Sequence, residues 1–336
     1  MTDPISKHLA RTDWLLADGA TGTTLFNMGL QSGDAPELWN ETEVDKVRAL
    51  YQGAVDAGSD LFLTNTFGAN RARLKLHDAG HRAGELSRMG AEIGREIADA
   101  ADRPVIVAGS MGPTGEIMAP MGPLTHEDAV EIFHEQAEGL KAGGADVLWV
   151  ETISAPEELK AAAEAAQRAD MPWCVTMSFD TAGRTMMGTT APAMARLVER
   201  LPHPPVAFGA NCGVGASDLL RTVLGFGDVS RPLIAKGNAG IPKYVDGHIH
   251  YDGTPDLMAR YAVLARDAGA TIIGGCCGTT PDHLRAMRAA LETAPKGTPP
   301  ELETVAANLG GFSSESDGTD GAGPTRERRS RRRARA

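Results

Sequence analysis

The chain has 336 residues, enough for two average domains or for one α/β barrel, which takes about 250. Four cysteines in that length exclude a disulfide scaffold, no apolar run approaches the roughly 20 residues of a membrane span, and no charged-then-apolar amino-terminal segment resembles a signal peptide. A soluble, cytoplasmic protein is therefore expected. The net charge of −11 is uneven, because seven of the 33 Lys and Arg residues lie between Arg326 and Arg335 with one acid among them; residues 1–325 hold 26 basic against 43 acidic side chains, a net of −17. Such a body repels nucleic acid and leaves small molecules as the expected partners.

In chain order, eight short apolar runs stand at Trp14–Ala17, Leu61–Leu63, Val105–Ala108, Val147–Val150, Trp173–Met177, Val206–Gly209, Leu233–Ala235 and Thr271–Ile273, each followed by an amphipathic segment of helical length. The segment Glu43–Ala57 carries Val44, Val47, Leu50, Tyr51 and Val55 on one stripe. Thr280-Pro281-Asp282 opens the last helix with an N-cap and a proline, while Gly58, Gly144 and Gly269 each end a helix before the next strand. Buried strands alternating eight times with helices predict a (β/α)8 barrel rather than an open sheet. That barrel is expected to fill residues 1–294. From about Pro295 the chain is dominated by Gly, Ser, Glu, Thr and Pro, so residues 295–336 are expected to be a disordered tail with an Arg-rich, solvated end.

Barrel chemistry gathers at the carboxyl ends of the strands. Those ends read Asp18, Thr64-Asn65-Thr66, Gly109-Ser110, Glu151, Ser178, Asn211-Cys212, Gly237-Asn238 and Cys276-Cys277. Three thiols would converge at one mouth, yet their spacing alone leaves open a metal site, core thiols packed as small hydrophobes, or a strained Cys276–Cys277 disulfide. Two carboxylates, Asp18 and Glu151, would hold a cation there, unless they cap helices. The glycine-rich turns after Asp18 and Gly109 lack the order of a nucleotide-binding loop, and their amides suit a carboxylate as well as a phosphate.

Taken together, Asp18-Gly-Ala-Thr-Gly-Thr, Thr64-Asn-Thr-Phe, Gly109-Ser-Met-Gly-Pro-Thr-Gly, Val150-Glu-Thr, Gly209-Ala-Asn-Cys-Gly and Gly274-Gly-Cys-Cys-Gly-Thr-Thr-Pro resemble the homocysteine S-methyltransferase family over roughly residues 10–293. The resemblance implies a zinc ion bound by Cys212, Cys276 and Cys277. It also aligns Asp18 and Glu151 with the acids that hold the homocysteine ammonium group, and the turn at Gly109-Ser110 is expected to take the carboxylate. Further stretches, Gly33-Asp-Ala-Pro-Glu-Leu-Trp-Asn and the run from Lys236 to His248, are similar to bacterial betaine-type members. The implied reaction is methyl transfer from glycine betaine to homocysteine, giving methionine and dimethylglycine.

Animal betaine enzymes carry tyrosines where this chain has Gly68 and Thr152, and the Asn of Thr64-Asn-Thr-Phe is closer to the homocysteine module of methionine synthase. S-methylmethionine, S-adenosylmethionine or a methylcorrinoid therefore stand as alternative donors, and a thiol subunit of a larger methyl-transfer complex as the non-enzymatic one. A quaternary ammonium is held by aromatic faces, for which Trp39, Phe67, Tyr244 and Tyr251 are candidates. His248 and His250 are read as solvated, Cys174 as an inert core thiol and Arg184 as a surface hairpin residue. The oligomeric state is left open, a homo-oligomer included.

Overall fold

The computed structural model describes residues 3–319 apart from 242, 246 and 247, and of 243–245 and 248–250 it describes the backbone. Eight parallel strands form one sheet: β1 (Leu15–Leu16), β2 (Leu61–Leu63), β3 (Ile106–Met111), β4 (Val147–Ile153), β5 (Trp173–Met177), β6 (Ala207–Cys212), β7 (Leu233–Gly237) and β10 (Ala270–Gly275). They run in the order β1-β10-β7-β6-β5-β4-β3-β2, and a parallel bridge from Ala17 to Leu61 joins the two ends. The result is a closed (β/α)8 barrel built on the eight expected runs. A short antiparallel hairpin, β8 (Lys243–Val245) with β9 (His248–His250), is inserted after β7.

The period-two alternation of the strands divides the apolar residues between two cores. Leu15, Ala17, Leu61, Leu63, Ile106, Ala108, Val147, Trp149, Cys174, Ala207, Ile234 and Ile272 form a cluster inside the barrel, closed from below by Ile5 of the amino-terminal helix Pro4–Leu9. Leu16, Phe62, Val107, Leu148, Val150, Phe208 and Ile273 face the other way, into the larger core beneath the helices. Cys174 is thus the inert interior thiol that the sequence suggested.

Helix boundaries follow local chemistry. The helix Val44–Asp56 buries Val47, Tyr51, Ala54 and Val55 on one stripe, and the last barrel helix, Pro281–Thr293, is capped by Thr280, whose N–H donates to His283 Nδ1 at 3.1 Å. Gly58, Gly144 and Gly269 follow their helices at φ of 95°, 88° and 103°, where a side chain would be strained.

The expected tail needs correction as far as residue 319. A helix at Leu302–Leu309 packs on the helices Ala216–Gly225 and Pro255–Asp267 and buries Val305 and Leu309. Beyond it the Arg221 guanidinium lies 4.6 Å from the centre of the Phe312 ring and donates to the Ser314 carbonyl at 2.7 Å, while Asp218 accepts the Ser313 N–H at 3.0 Å. A buried Arg–Asp pair anchors this strap, which composition alone did not reveal. The Arg-rich end falls in residues 320–336, outside the described residues. No helix among the described residues is long and apolar enough to cross a membrane.

Candidate active site

The strand ends make a layered mouth. Trp149 fills the barrel interior, and above it lies Lys236, two residues after the inward Ile234 and only 2% exposed, with its ammonium 5.9 Å from the centre of the Trp149 ring. An ammonium there requires a partner. Asp18 supplies it through a direct ion pair, while its other oxygen accepts the Leu63 N–H at 2.8 Å. Burial pushes Asp18 toward its neutral form and Lys236 opposes it; burial likewise pulls Lys236 down, but Asp18 and Glu151 together hold its ammonium above the ordinary value. The Lys236 ammonium therefore keeps its charge beside Asp18.

Glu151 is differently placed. A bulge lets β4 pass from Val150, paired with Val175, to Ile153, paired with Met177, so that both Glu151 and Thr152 reach the cavity. Thr152 has φ of 62°, which is strained for a β-branched residue. Asn211 holds it there, accepting the Thr152 N–H at 3.1 Å, donating to the Thr152 hydroxyl at 2.8 Å and accepting from Thr176 Oγ1 at 2.7 Å. Glu151 Oε1 accepts the Ser110 hydroxyl at 2.5 Å. Burial pushes its carboxyl up to about 7; Lys236 and Ser110 resist the shift, and Asp18 and Cys212 add to it.

Cys212, Cys276 and Cys277 come together as expected, all free, with the three sulfurs within 4.8 Å of one another. No Cys276–Cys277 disulfide forms. Cys212 has φ of 61° at the end of β6, which turns it out of the strand. Asn238 ties the set together: its Nδ2 donates to the Gly213 carbonyl at 2.8 Å and lies 3.7 Å from the Cys212 sulfur, and its Oδ1 accepts the Cys277 N–H at 3.0 Å. Asn211 Nδ2 lies 3.9 Å from the Cys276 sulfur.

Hydrogen bonds from Cys276 and Cys277 push the Cys212 thiol down to about 3, and their contact with Cys212 pushes Cys276 up and Cys277 up to about 11. Once one of the three crowded thiols is ionised, ionising the others beside it needs a cation. The set fits a soft divalent metal, since ligands about 2.3 Å from a tetrahedral zinc lie about 3.8 Å apart.

A cavity of about 420 Å³ opens over the thiols and is lined at its inner end by Ser110, Glu151, Thr152 and Lys236. Several expected residues are elsewhere. Asp18 lines the neighbouring crevice behind the first strand rather than this cavity. Gly109 is part of β3, where a Cβ would meet Leu140 Cδ1 at 2.7 Å, so packing explains it. The Ser110 amide is already bonded to Thr64 Oγ1 at 3.0 Å, and it is the hydroxyl that faces Glu151. Trp39 is buried in the outer core with Lys46 4.4 Å from its ring centre, away from the cavity.

Phe67 does line the cavity, with the Arg73 guanidinium 5.3 Å from its ring centre. Tyr251 reaches the Cys277 thiol. The side chains of Tyr244, His248 and His250 lie outside the described residues. Arg184 sits in a surface hairpin, bridged to Thr181 and Thr190. Lys236 was missed because the seventh run was ended at Ala235; one more step of the inward alternation from Ile234 reaches it.

A (β/α)8 barrel with a buried acid and three convergent thiols at its carboxyl mouth defines a barrel enzyme equipped for metal-assisted chemistry on sulfur. The family model of homocysteine S-methyltransferase matches residues 15–291, and the chain belongs to that family. Methionine synthase of Mycobacterium leprae (strain TN) is 32% identical over 306 residues, covering 86% of this chain and 25% of that protein. Methionine synthase of Mycobacterium tuberculosis (strain ATCC 25618 / H37Rv) is 32% identical over 310 residues, covering 85% and 26%. The chain thus spans about a quarter of these relatives' length. The oxidised form of the homocysteine methyltransferase MmuM from Escherichia coli superposes with a TM-score of 0.70 at 25% identity, over 86% of this chain and 99% of that one. Its metallated form gives 0.70 at 24%, over 85% and 99%, a likeness of fold.

Proposed function

We propose that the protein methylates homocysteine on a zinc ion held by Cys212, Cys276 and Cys277, releasing methionine, in the cytoplasm. The carrying observation is that the three thiols and Glu151 face one cavity. Zinc, when bound, supplies the homocysteine sulfur as a thiolate at neutral pH, where a free thiol of pKa about 8.5 is mostly protonated. The protein's own residues do the positioning. Asn238 and Asn211 steer the thiolates, and Glu151, held by Ser110, takes the substrate ammonium. Asp18 acts at one remove, by holding Lys236 beneath the site. The sulfur lone pair forms the new S–CH3 bond as the bond from methyl to the donor heteroatom breaks, and its electrons leave with that heteroatom.

The donor belongs to the small methyl-onium compounds, with glycine betaine and S-methylmethionine as the two members to assay. For betaine, the described aromatic side chains offer Phe67 and Tyr251 but not Trp39, whose ring already faces Lys46. Likeness to the methionine synthases favours a second reading, in which a methylcorrinoid on another polypeptide is the donor. Purified, zinc-loaded protein should form methionine from homocysteine and at least one of betaine, S-methylmethionine, S-adenosylmethionine or methylcobalamin. Absence of methionine with every donor would sink the proposal.

A further inference from the structure

The cavity has two ends of different chemistry. Its inner end holds the thiols and Glu151; its outer wall is built from Glu37, Phe67, Gly68, Arg73 and His77. We propose that Arg73 binds the carboxylate of the methyl donor, so that the outer wall selects an onium compound that is also a carboxylate. This rests on the methyl-transfer reading above and names the donor class that the site takes.

Arg73 is fixed in place while its donors are left available. It lies on the short helix Arg71–Leu74, whose cap Asn70 is fully buried and accepts the Arg73 N–H at 3.0 Å. Arg73 Nε donates to the Pro113 carbonyl at 2.7 Å, and the guanidinium lies over the Phe67 ring. These contacts orient the plane through one edge and one face. Among the described residues neither terminal nitrogen has an acceptor, and no carboxylate lies within 4 Å of them.

The acids nearby are committed to other groups. Glu37 Oε1 accepts the Gly68 N–H at 2.6 Å, and Glu158 Oε1 accepts both the Thr114 N–H at 2.7 Å and the Thr114 hydroxyl at 2.8 Å. They stand near Arg73 without engaging its fork, and burial pushes both toward their neutral forms. A planar guanidinium held in this way presents two parallel N–H groups, the geometry that binds a carboxylate bidentately.

Gly68 keeps the arrangement open. A Cβ there would lie 2.8 Å from Glu37 Oε1, crowding the carboxylate that accepts the Gly68 N–H, and would meet Arg73 Cδ at 3.4 Å, an ordinary contact. The two ends of the cavity then match the two ends of one donor. The anionic inner end, with its thiolates and Glu151, attracts the methyl-bearing cation toward the sulfur, while Arg73 takes the carboxylate at the rim. Glycine betaine and S-methylmethionine both have this form; choline and (3-aminopropyl)dimethylsulfonium are the corresponding cations without a carboxylate.

The test compares wild type, Arg73→Ala and Arg73→Lys, all zinc-loaded, with each donor and its carboxylate-free counterpart. Donor binding is followed by calorimetry in the absence of turnover, and KM is measured separately for donor and homocysteine. Arg73→Ala should weaken the active donor by about 10- to 100-fold and leave the homocysteine KM within about twofold. Arg73→Lys should recover part of the loss, because a point charge replaces a fork, and the carboxylate-free counterpart should bind all three proteins equally poorly. Unchanged donor affinity in Arg73→Ala, or an equal loss for homocysteine, overturns the inference. Methionine from methylcobalamin alone also overturns it while leaving homocysteine methylation intact, whereas methionine from no donor fails the underlying reading itself. Should Arg73→Ala not fold, Arg73→Lys carries the same comparison.

Discussion

Asn211 brackets Thr152, accepting its N–H at 3.1 Å and donating to its hydroxyl at 2.8 Å. This pair holds the one β-branched residue of positive φ among the described residues next to the Glu151 carboxylate. Asn211 also immediately precedes Cys212 and approaches the Cys276 sulfur at 3.9 Å. One side chain therefore links the position of the Glu151 carboxyl to that of the thiols.

Asn211→Ala should disturb both. It leaves the Thr152 N–H and the Thr176 hydroxyl without their partner, a loss of about 1–3 kcal/mol for each group left unpaired in the interior. The variant should melt earlier and show a raised homocysteine KM. Thr152→Gly removes the strain that Asn211 opposes, so in the double variant part of the lost stability should return. Strictly additive losses in a double-mutant cycle would show that the bracket carries no coupling.

The thiols should behave as one ligand set. Alanine at Cys212, Cys276 or Cys277 is expected to remove most of the bound zinc and all measurable methyl transfer, because each ligand is needed to close the same coordination sphere. Cys174→Ala, deep in the barrel interior, should keep both metal and activity. Elemental analysis of the purified variants decides this, and full zinc content in Cys276→Ala would remove that residue from the site.

If Glu151 takes the homocysteine ammonium as proposed, its carboxyl, pushed up to about 7 by burial, should make homocysteine binding depend on pH. Below about 7 the group is protonated and loses the charge that holds an ammonium, so the homocysteine KM should rise by up to tenfold per pH unit from about 7 downward and level off above it. Because the folded-state value lies above that of the unfolded chain, the stability contribution is fully present below about 4.5 and is lost as pH rises through about 7. Glu151→Gln should therefore have a flat homocysteine profile and, at pH 8, a higher melting temperature than wild type. A wild-type KM that is flat between pH 6 and 8 would exclude the role.

Much of this was legible because the signal was periodic. Eight apolar runs with polar ends specified the barrel, and the position of Cys212 and Cys276-Cys277 at two of those ends placed them at one mouth. What escaped was set by a change of phase or by tertiary partners. The bulge at Glu151-Thr152 adds a residue that no alternation announces. Lys236 is a lysine where composition rules put solvent, and it is buried because Asp18, two strands away round the barrel, pairs with it. Trp39 sits in a loop sequence but packs into the outer core. The helix Leu302–Leu309 does show apolar residues at Leu302, Val305, Ala306 and Leu309, a helical stripe hidden by the polar composition around it.

The Lys236–Asp18 pair separates structural from catalytic roles for Asp18. Both side chains are almost wholly buried, with 2% and 8% exposed, so each is tolerated only with the other present. Removing one partner of such a pair leaves an uncompensated charge in the interior, a loss of about 3–5 kcal/mol, whereas replacing both with apolar groups of similar volume is often neutral. Asp18→Asn and Lys236→Met should each lower the denaturation midpoint strongly, and Asp18→Leu combined with Lys236→Met should recover most of that loss. In the recovered double variant zinc should still bind, since neither residue is a thiol ligand, and homocysteine binding should report the site without the ion pair beneath it. A homocysteine KM within about threefold of wild type would confine Asp18 to supporting the fold; a KM raised tenfold or more, with zinc and stability restored, would return it to the substrate.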